Sequence, residues 1–139
     1  MEVLPLSVPK SRRCESSVQF LDTAMQLHLF TIRQVARFPK KYTFYVSQHI
    51  AALAAGVLDN VKRANSMYPA NAHEAQIRRD LLQAARGDLQ AMITQIGDAK
   101  ELFPIPGNAL GEWMGMIARE LDLLKRLMES DRKRFNFDK

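Results

Sequence analysis

The stretch LGEWMGMIARELDLLKRLM, residues 110–128, carries the most regular hydrophobic pattern in the chain. Its apolar side chains recur at alternating steps of four and three residues, at Leu110, Met114, Ile117, Leu121, Leu124 and Met128. Helices of left-handed bundles have this spacing, because it keeps one face of each helix turned toward its neighbours. The stretch therefore predicts a long amphipathic helix.

Three further segments with helical periodicity precede this one, and they are predicted to span about 16–37, 43–68 and 71–102. Either Ser16 or Ser17 can cap the first of them. Asn71, with Glu74 three residues later, makes a start for the third that resembles a capping box. Proline-containing turns separate the segments, at Phe38-Pro39, at Tyr68-Pro69 and in the run FPIPG at 103–107.

Four amphipathic helices joined by short turns place sequential neighbours antiparallel, which predicts an all-α, up-down-up-down four-helix bundle. The chain has 139 residues, of which 47% are hydrophobic and 25% charged, as is typical of one globular domain. The predicted organisation is a basic flexible tail at 1–15, the bundle at 16–135 and a short C-terminal tail at 136–139. With a single cysteine and no long apolar run, we expect a cytoplasmic protein.

The first two helices carry more apolar surface than one bundle core requires. In the first, one stripe is expected to face the core: Val18, Leu21, Met25, Leu29, Ile32 and Ala36. A second stripe beside it contains Phe20, Ala24, Leu27 and Val35. We expect Phe20 and Leu27, with Ala51 and Ala55 from the alanine-rich side of the second helix, to form an interface between copies of the chain. The alternative is a wide core with a few exposed apolar residues.

The motifs of common enzymes and metal sites are missing from the sequence. A di-iron bundle needs Glu-x-x-His on inward faces, and none of His28, His49 and His73 has a carboxylate at that spacing. There is no Walker A loop and no G-x-G-x-x-G. A nucleophilic role for Cys14 is no better supported than that of a plain exposed thiol. We therefore predict a protein that is not an enzyme, with no metal and no cofactor.

The formal net charge of +5 is moderate, and its placement is more informative than its size. The up-down topology would gather one set of cations at one end of the bundle: Lys62, Arg63, Arg132, Lys133 and Arg134. Arg78 and Arg79 would lie near that end too, about two turns into the third helix. A second set lies at the opposite end, beside several acidic residues: Arg33, Arg37, Lys40 and Lys41. Both sets are candidate nucleic-acid contacts, the first one foremost. The alternative is that basic helix C-termini only complement the helix dipole.

Two motifs and the order of the elements resemble a known family. The motifs are the turn Phe38-Pro39-Lys40-Lys41-Tyr42, which leads into a helix with Ser47-Gln48-His49-Ile50, and the segment Gly111-Glu112-Trp113-Met114-Gly115 in the fourth helix. Over about residues 16–130 they resemble small four-helix-bundle proteins. That family includes the accessory variability determinant of diversity-generating retroelements and the proteins encoded in intervening sequences of bacterial ribosomal RNA genes.

The resemblance implies a pentameric ring of bundles. It also implies that basic surface on the ring binds RNA or DNA and a reverse transcriptase. We therefore expect a non-enzymatic, ring-forming accessory protein that binds nucleic acid and a partner such as a retroelement reverse transcriptase. Because the sequence has no long apolar run, no membrane partner is expected. A second hypothesis is a self-associating structural scaffold with no nucleic-acid role, whose charge only keeps it soluble. An enzymatic function would need a pocket that the sequence does not indicate.

Overall fold

The computed structural model describes the backbone of residues 15–137 and the side chains of residues 19–137. No strand occurs within this span. Four helices make up most of it: α1 (Glu15–Val35), α2 (Gln48–Asn65), α3 (Ala72–Leu102) and α4 (Gly107–Arg134). The all-α prediction is thus confirmed for the described residues. The predicted tails at 1–15 and 136–139 lie mostly outside them.

The start of α3 has the predicted capping interactions. Asn71 Oδ1 accepts a hydrogen bond from the backbone N–H of Glu74 at 2.9 Å, and Glu74 Oε1 accepts one from the backbone N–H of Ala70 at 2.8 Å. The second bond reaches one residue further back than in a standard capping box. The helix runs for 31 residues and ends at Leu102, because Phe103 is extended ahead of a proline.

The connection between α1 and α2 is longer than the sequence pattern predicts. α1 ends at Val35, and α2 begins only at Gln48. A short 3-10 helix (Lys40–Tyr42) and a π-helical turn (Thr43–Ser47) fill the interval. Helical periodicity begins near Thr43, but the wider i→i+5 hydrogen bonding of a π turn places the first regular α-helical residue several positions later.

The helices pack around one core, in which α1 contacts α2 and α4, and α3 also contacts α2 and α4. An aromatic cluster closes one end of this core. The rings of Phe38 and Phe103 pack edge to face with centroids 4.7 Å apart, and Phe38 lies 6.2 Å from Trp113. The indole of Trp113 is fully buried, and its Nε1–H donates to Thr31 Oγ1 at 3.0 Å. This bond ties α4 to α1.

The predicted roles of the two apolar stripes of α1 are reversed. Phe20 and Leu27, expected in an interface between copies, are 0% exposed and belong to the core of the single chain. Met25, Leu29 and Ile32, expected in the core, are 45%, 49% and 43% exposed. The two stripes have the same helical period, so periodicity alone could not decide which one faces α2 and α4. With no exposed surface, Phe20 and Leu27 do not supply an interface in this fold, whereas Ala51 and Ala55 remain half-buried.

The core line of α4 is partly rotated from the predicted one: Ile117 and Leu124 are fully buried, as predicted, but the other four predicted positions are not. Leu110, Met114, Leu121 and Met128 lie half-buried at its edges. The buried line has the same alternating spacing and consists of Trp113, Ile117, Glu120, Leu124 and Leu127. This line is hard to recognise from the sequence, because Glu120 interrupts it, whereas the apolar pattern that runs through Leu121 is uninterrupted.

Candidate nucleic-acid interface

Three helix ends meet where the sequence predicts the main basic surface. Arg78 of α3 donates hydrogen bonds to the backbone carbonyl oxygens of Ala64 at 2.7 Å and Met67 at 3.0 Å, at the end of α2. The ring of Tyr68 packs edge to face on that of Phe135, just after α4, with centroids 5.2 Å apart. These contacts place the last turns of α2 and α4 at the same end, and with them the first predicted set of cations: Lys62, Arg63, Arg132, Lys133 and Arg134.

Part of the positive charge at this end is balanced by Asp131. Its carboxylate pairs with Nε of the buried Arg78 at 2.6 Å and with Nη2 of Arg134 at 2.7 Å. The Arg134 guanidinium also lies over the ring of Phe135, 4.9 Å from its centroid. Arg78 is therefore a structural clamp, and Arg134 is held against α4. The other four cations of the set are exposed.

A basic groove runs between α3 and α4 next to this end. It has a volume of about 340 Å³, and four cations line it together with the single acidic residue Glu129: Arg79, Arg86, Lys125 and Arg132. Arg79 and Arg86 are seven residues apart on α3, and Lys125 and Arg132 are seven apart on α4. Seven residues correspond to about 10 Å along a helix. Each wall of the groove thus carries two cations about two turns apart.

Hydrogen bonds to neighbouring glutamines fix the arginines on the α3 wall. Arg86 Nη1 donates to Gln83 Oε1 at 3.1 Å, and Arg79 Nη1 donates to Gln76 Oε1. The Nε–H of Arg86 is buried and has no hydrogen-bond partner within the described part of the chain. A guanidinium held in this way keeps further N–H groups for the forked contacts that arginine makes with phosphate oxygens.

Of these four residues, only Arg132 belongs to the nucleic-acid site predicted from the sequence. The signal for the others was a recurrence of cations at steps of seven on the polar faces of α3 and α4. Such a recurrence marks a stripe on each helix, but it does not tell whether the two stripes face each other. The rotation of α3 and α4 about their axes decides that, and it follows from the core packing.

A second cleft, of about 240 Å³, continues the groove past the end of α4. It shares Arg79 and Arg132 with the groove and is also lined by Gln76 and by the aromatic residues Phe135 and Phe137. The basic groove therefore leads directly to an aromatic surface.

The second predicted set of cations is exposed at the opposite end of the core: Arg33, Arg37, Lys40 and Lys41. The ammonium group of Lys41 lies 5.4 Å from the centroid of the Tyr42 ring. Lys40 lines a mostly apolar groove of about 350 Å³ that also contains Ile32, Ala36 and Ala51. The fold does not bring this set together with the first set. Its surroundings are apolar and aromatic, unlike those of the α3–α4 groove.

One ionisable group lies inside the core and apart from both sets of cations. Glu120 is fully buried, and neither of its carboxyl oxygens has a hydrogen-bond partner among residues 19–137. Burial raises the pKa of this carboxyl to about 9, against a smaller opposing effect of the Arg119 charge. Glu120 is therefore protonated and neutral at pH 7, which removes most of the cost of keeping it in an apolar core.

Between residues 15 and 137, no group of three or more histidine, cysteine, aspartate or glutamate side chains is placed to hold a metal ion. Within the same span, every helix is too short or too polar to cross a membrane. Cys14 lies outside the described residues.

Comparison with known proteins finds no matching family model, no matching curated protein and no matching solved structure. The resemblance to the retroelement and ribosomal intervening-sequence proteins therefore stays a prediction.

Proposed function

We propose that this chain is a non-enzymatic accessory protein that binds the phosphate backbone of nucleic acid in the groove between α3 and α4. The lining of that groove supports the proposal, because it contains four cations and one acidic residue. Cations on both walls attract a polyanion by charge summed over a concave surface. Affinity gained in this way depends strongly on salt and weakly on base sequence.

The helix dipole does not account for these cations. It favours basic residues only in the last turn of a helix and disfavours them near its start. Arg79 and Arg86 lie in the N-terminal half of α3, and Lys125 lies nine residues before the end of α4. Of the groove residues, only Arg132 lies in a last turn. The dipole explanation thus fits the helix-end residues Lys62, Arg63, Arg132 and Lys133 better than it fits the groove.

The proposal includes an up-down-up-down arrangement of the helices and self-assembly, with the pentameric ring that the family resemblance implies. Met25, Leu29 and Ile32 on the outer face of α1 are the surface that we propose joins the copies. Their steps of four and three residues match the seam of a coiled coil, in which a helix pairs with another helix of the same pattern. A ring would repeat the basic groove around its circumference and so increase its avidity.

A reverse transcriptase remains the proposed protein partner, and the cytoplasm the proposed location. The second candidate function is a self-associating scaffold without a nucleic-acid role. The exposed apolar stripe of α1 favours this candidate as much as it favours a ring that binds nucleic acid, because both require assembly. Binding to nucleic acid therefore separates the two candidates.

The test compares two triple variants with the same change in net charge. The groove variant replaces three exposed groove residues by glutamine: Arg79, Lys125 and Arg132. The control variant does the same at the opposite end: Arg37, Lys40 and Lys41. Fluorescence anisotropy with a labelled single-stranded RNA is measured over a range of salt concentrations.

Each phosphate of a single strand that the protein no longer neutralises lowers the slope of log affinity against log salt by about 0.7, so three such phosphates lower it by about 2. We expect this change in the groove variant and an unchanged slope in the control variant. Equal reductions in both variants would mean that net charge alone drives binding. An unmodified protein that assembles but binds no RNA would favour the scaffold.

A further inference from the structure

The two aromatic residues of the cleft at the end of the groove differ in how much of their surface is available. Phe135 is 6% exposed, and the charged groups of Arg134 and Arg78 lie 4.9 and 5.7 Å from its ring centroid. The ring of Tyr68 is nearly perpendicular to that of Phe135, with centroids 5.2 Å apart. Phe137 is 41% exposed, although it lines the same cleft. Phe135 is thus part of the packed helix end, and Phe137 is the aromatic residue with open surface.

The open surface of Phe137 lies beside cations rather than among apolar neighbours. Arg79 and Arg132 line both the cleft and the basic groove, so a strand that follows the groove reaches Phe137 without leaving positive surface. An aromatic ring beside a basic track is the arrangement with which proteins hold unpaired bases, through stacking on the ring and phosphate contacts on either side. A duplex does not offer such a base, because its bases are already stacked and paired.

Apart from its two arginines, the cleft has two amide side chains, those of Gln76 and Asn136. The side-chain amide of Gln76 is used twice within α3, since its Nε2–H₂ donates to Asp80 Oδ1 at 2.8 Å and its Oε1 accepts from Arg79. Stacking without specific hydrogen bonds to base edges tolerates any base. Stacking on Phe137 therefore favours no particular base.

Building on the proposed function, we infer that the cleft at residues 72–79 and 132–137 holds one unpaired nucleobase against Phe137, with the flanking phosphates on Arg79 and Arg132. The ligand class is single-stranded nucleic acid of mixed sequence. The protein then prefers single strands to duplexes, a preference that a groove recognising phosphates alone does not produce.

The test uses the full chain and a set of labelled oligonucleotide probes, each twelve nucleotides long. They are a single-stranded RNA, a single-stranded DNA of the same sequence, the RNA duplex, and an abasic strand that keeps every phosphate. The variants are Phe137→Leu, which removes the ring, and Phe137→Tyr, which keeps it. Phe44→Leu is the matched control, because Phe44 is also an exposed phenylalanine but lies at the opposite end. Circular dichroism verifies that each variant keeps its helicity.

The unmodified protein is expected to bind the single strands about tenfold or more tightly than the abasic strand. Phe137→Leu should reduce that ratio to near one with an unchanged salt slope, while Phe137→Tyr and Phe44→Leu retain it. If Phe137→Leu keeps the full ratio, or if the duplex binds as well as the single strand, the inference about the cleft is overturned and phosphate binding in the groove stands. If no probe binds, both proposals fail.

Discussion

Replacing Glu120 by leucine should stabilise the protein, and the gain should grow as the pH rises. Glu120 is fully buried on the core line of α4, and neither carboxyl oxygen has a hydrogen-bond partner in the described part of the chain. Its neighbours along that line are apolar, Ile117 on one side and Leu124 on the other. A leucine there would continue the pattern of its own helix and would leave no polar atom unsatisfied.

The size of the effect follows from the difference in pKa between the folded and unfolded chain. In the unfolded chain the carboxyl titrates near 4.5, and in the folded chain burial raises its pKa to about 9. Between these two values the unfolded state has lost the proton and the folded state keeps it, so the free energy of unfolding falls by about 1.4 kcal/mol per pH unit. This group therefore lowers stability by about 3 kcal/mol at pH 7. Its contribution is largest above pH 9 and vanishes below pH 4.5.

Urea unfolding followed by circular dichroism from pH 5 to pH 9 measures this dependence. The difference between Glu120→Leu and the unmodified protein should widen steadily with pH. Glu120→Gln should also remove the pH dependence, but with a smaller gain at pH 5, because a buried amide still lacks partners. Glu112→Gln is the control, since Glu112 is an exposed residue on the same helix. Curves for Glu120→Leu and the unmodified protein that run parallel across this range would refute the account of Glu120.

Two further predictions concern the clamp at the helix ends and the outer face of α1. Asp131→Asn should lower the free energy of unfolding by about 3 kcal/mol, because it leaves the buried Arg78 without its counter-charge. Asp122→Asn removes the exposed ion pair with Arg126 and should change the free energy of unfolding by no more than about 1 kcal/mol. If urea unfolding shows equal losses for Asp131→Asn and Asp122→Asn, Arg78 is not a structural clamp. Leu29→Glu should lower the mass of the assembly measured by sedimentation and leave the helicity unchanged. Gln90→Glu, at an exposed position of α3, should leave that mass unchanged. A monomeric unmodified protein at micromolar concentration would rule out the proposed assembly.

The number of helices and several of their ends could be predicted from the sequence, because prolines and caps act locally. Asn71 and Glu74 mark the start of α3 by hydrogen bonds within a few residues, and the proline-rich run after Leu102 ends it. The rotation of each helix about its axis could not be predicted, because it depends on contacts between helices. In α1 two stripes of equal period compete, and the side chains of α2 and α4 decide that Phe20 rather than Met25 is buried.

The same limit explains what the sequence indicated about the site and what it did not. Cations in the last turns of α2 and α4 were recognised, because helix ends can be located from the sequence. The pairing of Asp131 with both Arg78 and Arg134 was not recognised, because Arg78 is 53 residues away in the chain. Arg86 and Lys125 were missed for a related reason, because they become neighbours only when α3 packs against α4.

Lysine footprinting tests the central claim most directly, because it reports which surface a bound strand covers. The exposed lysines are acetylated with and without a saturating single-stranded RNA, and mass spectrometry measures the modification of each. Lys125 lies in the α3–α4 groove, Lys40 and Lys41 lie at the opposite end, and Lys100 lies in the last turn of α3. We predict that RNA protects Lys125 several-fold and leaves the other three unchanged. Protection of Lys40 and Lys41 with Lys125 fully reactive would contradict binding in the groove.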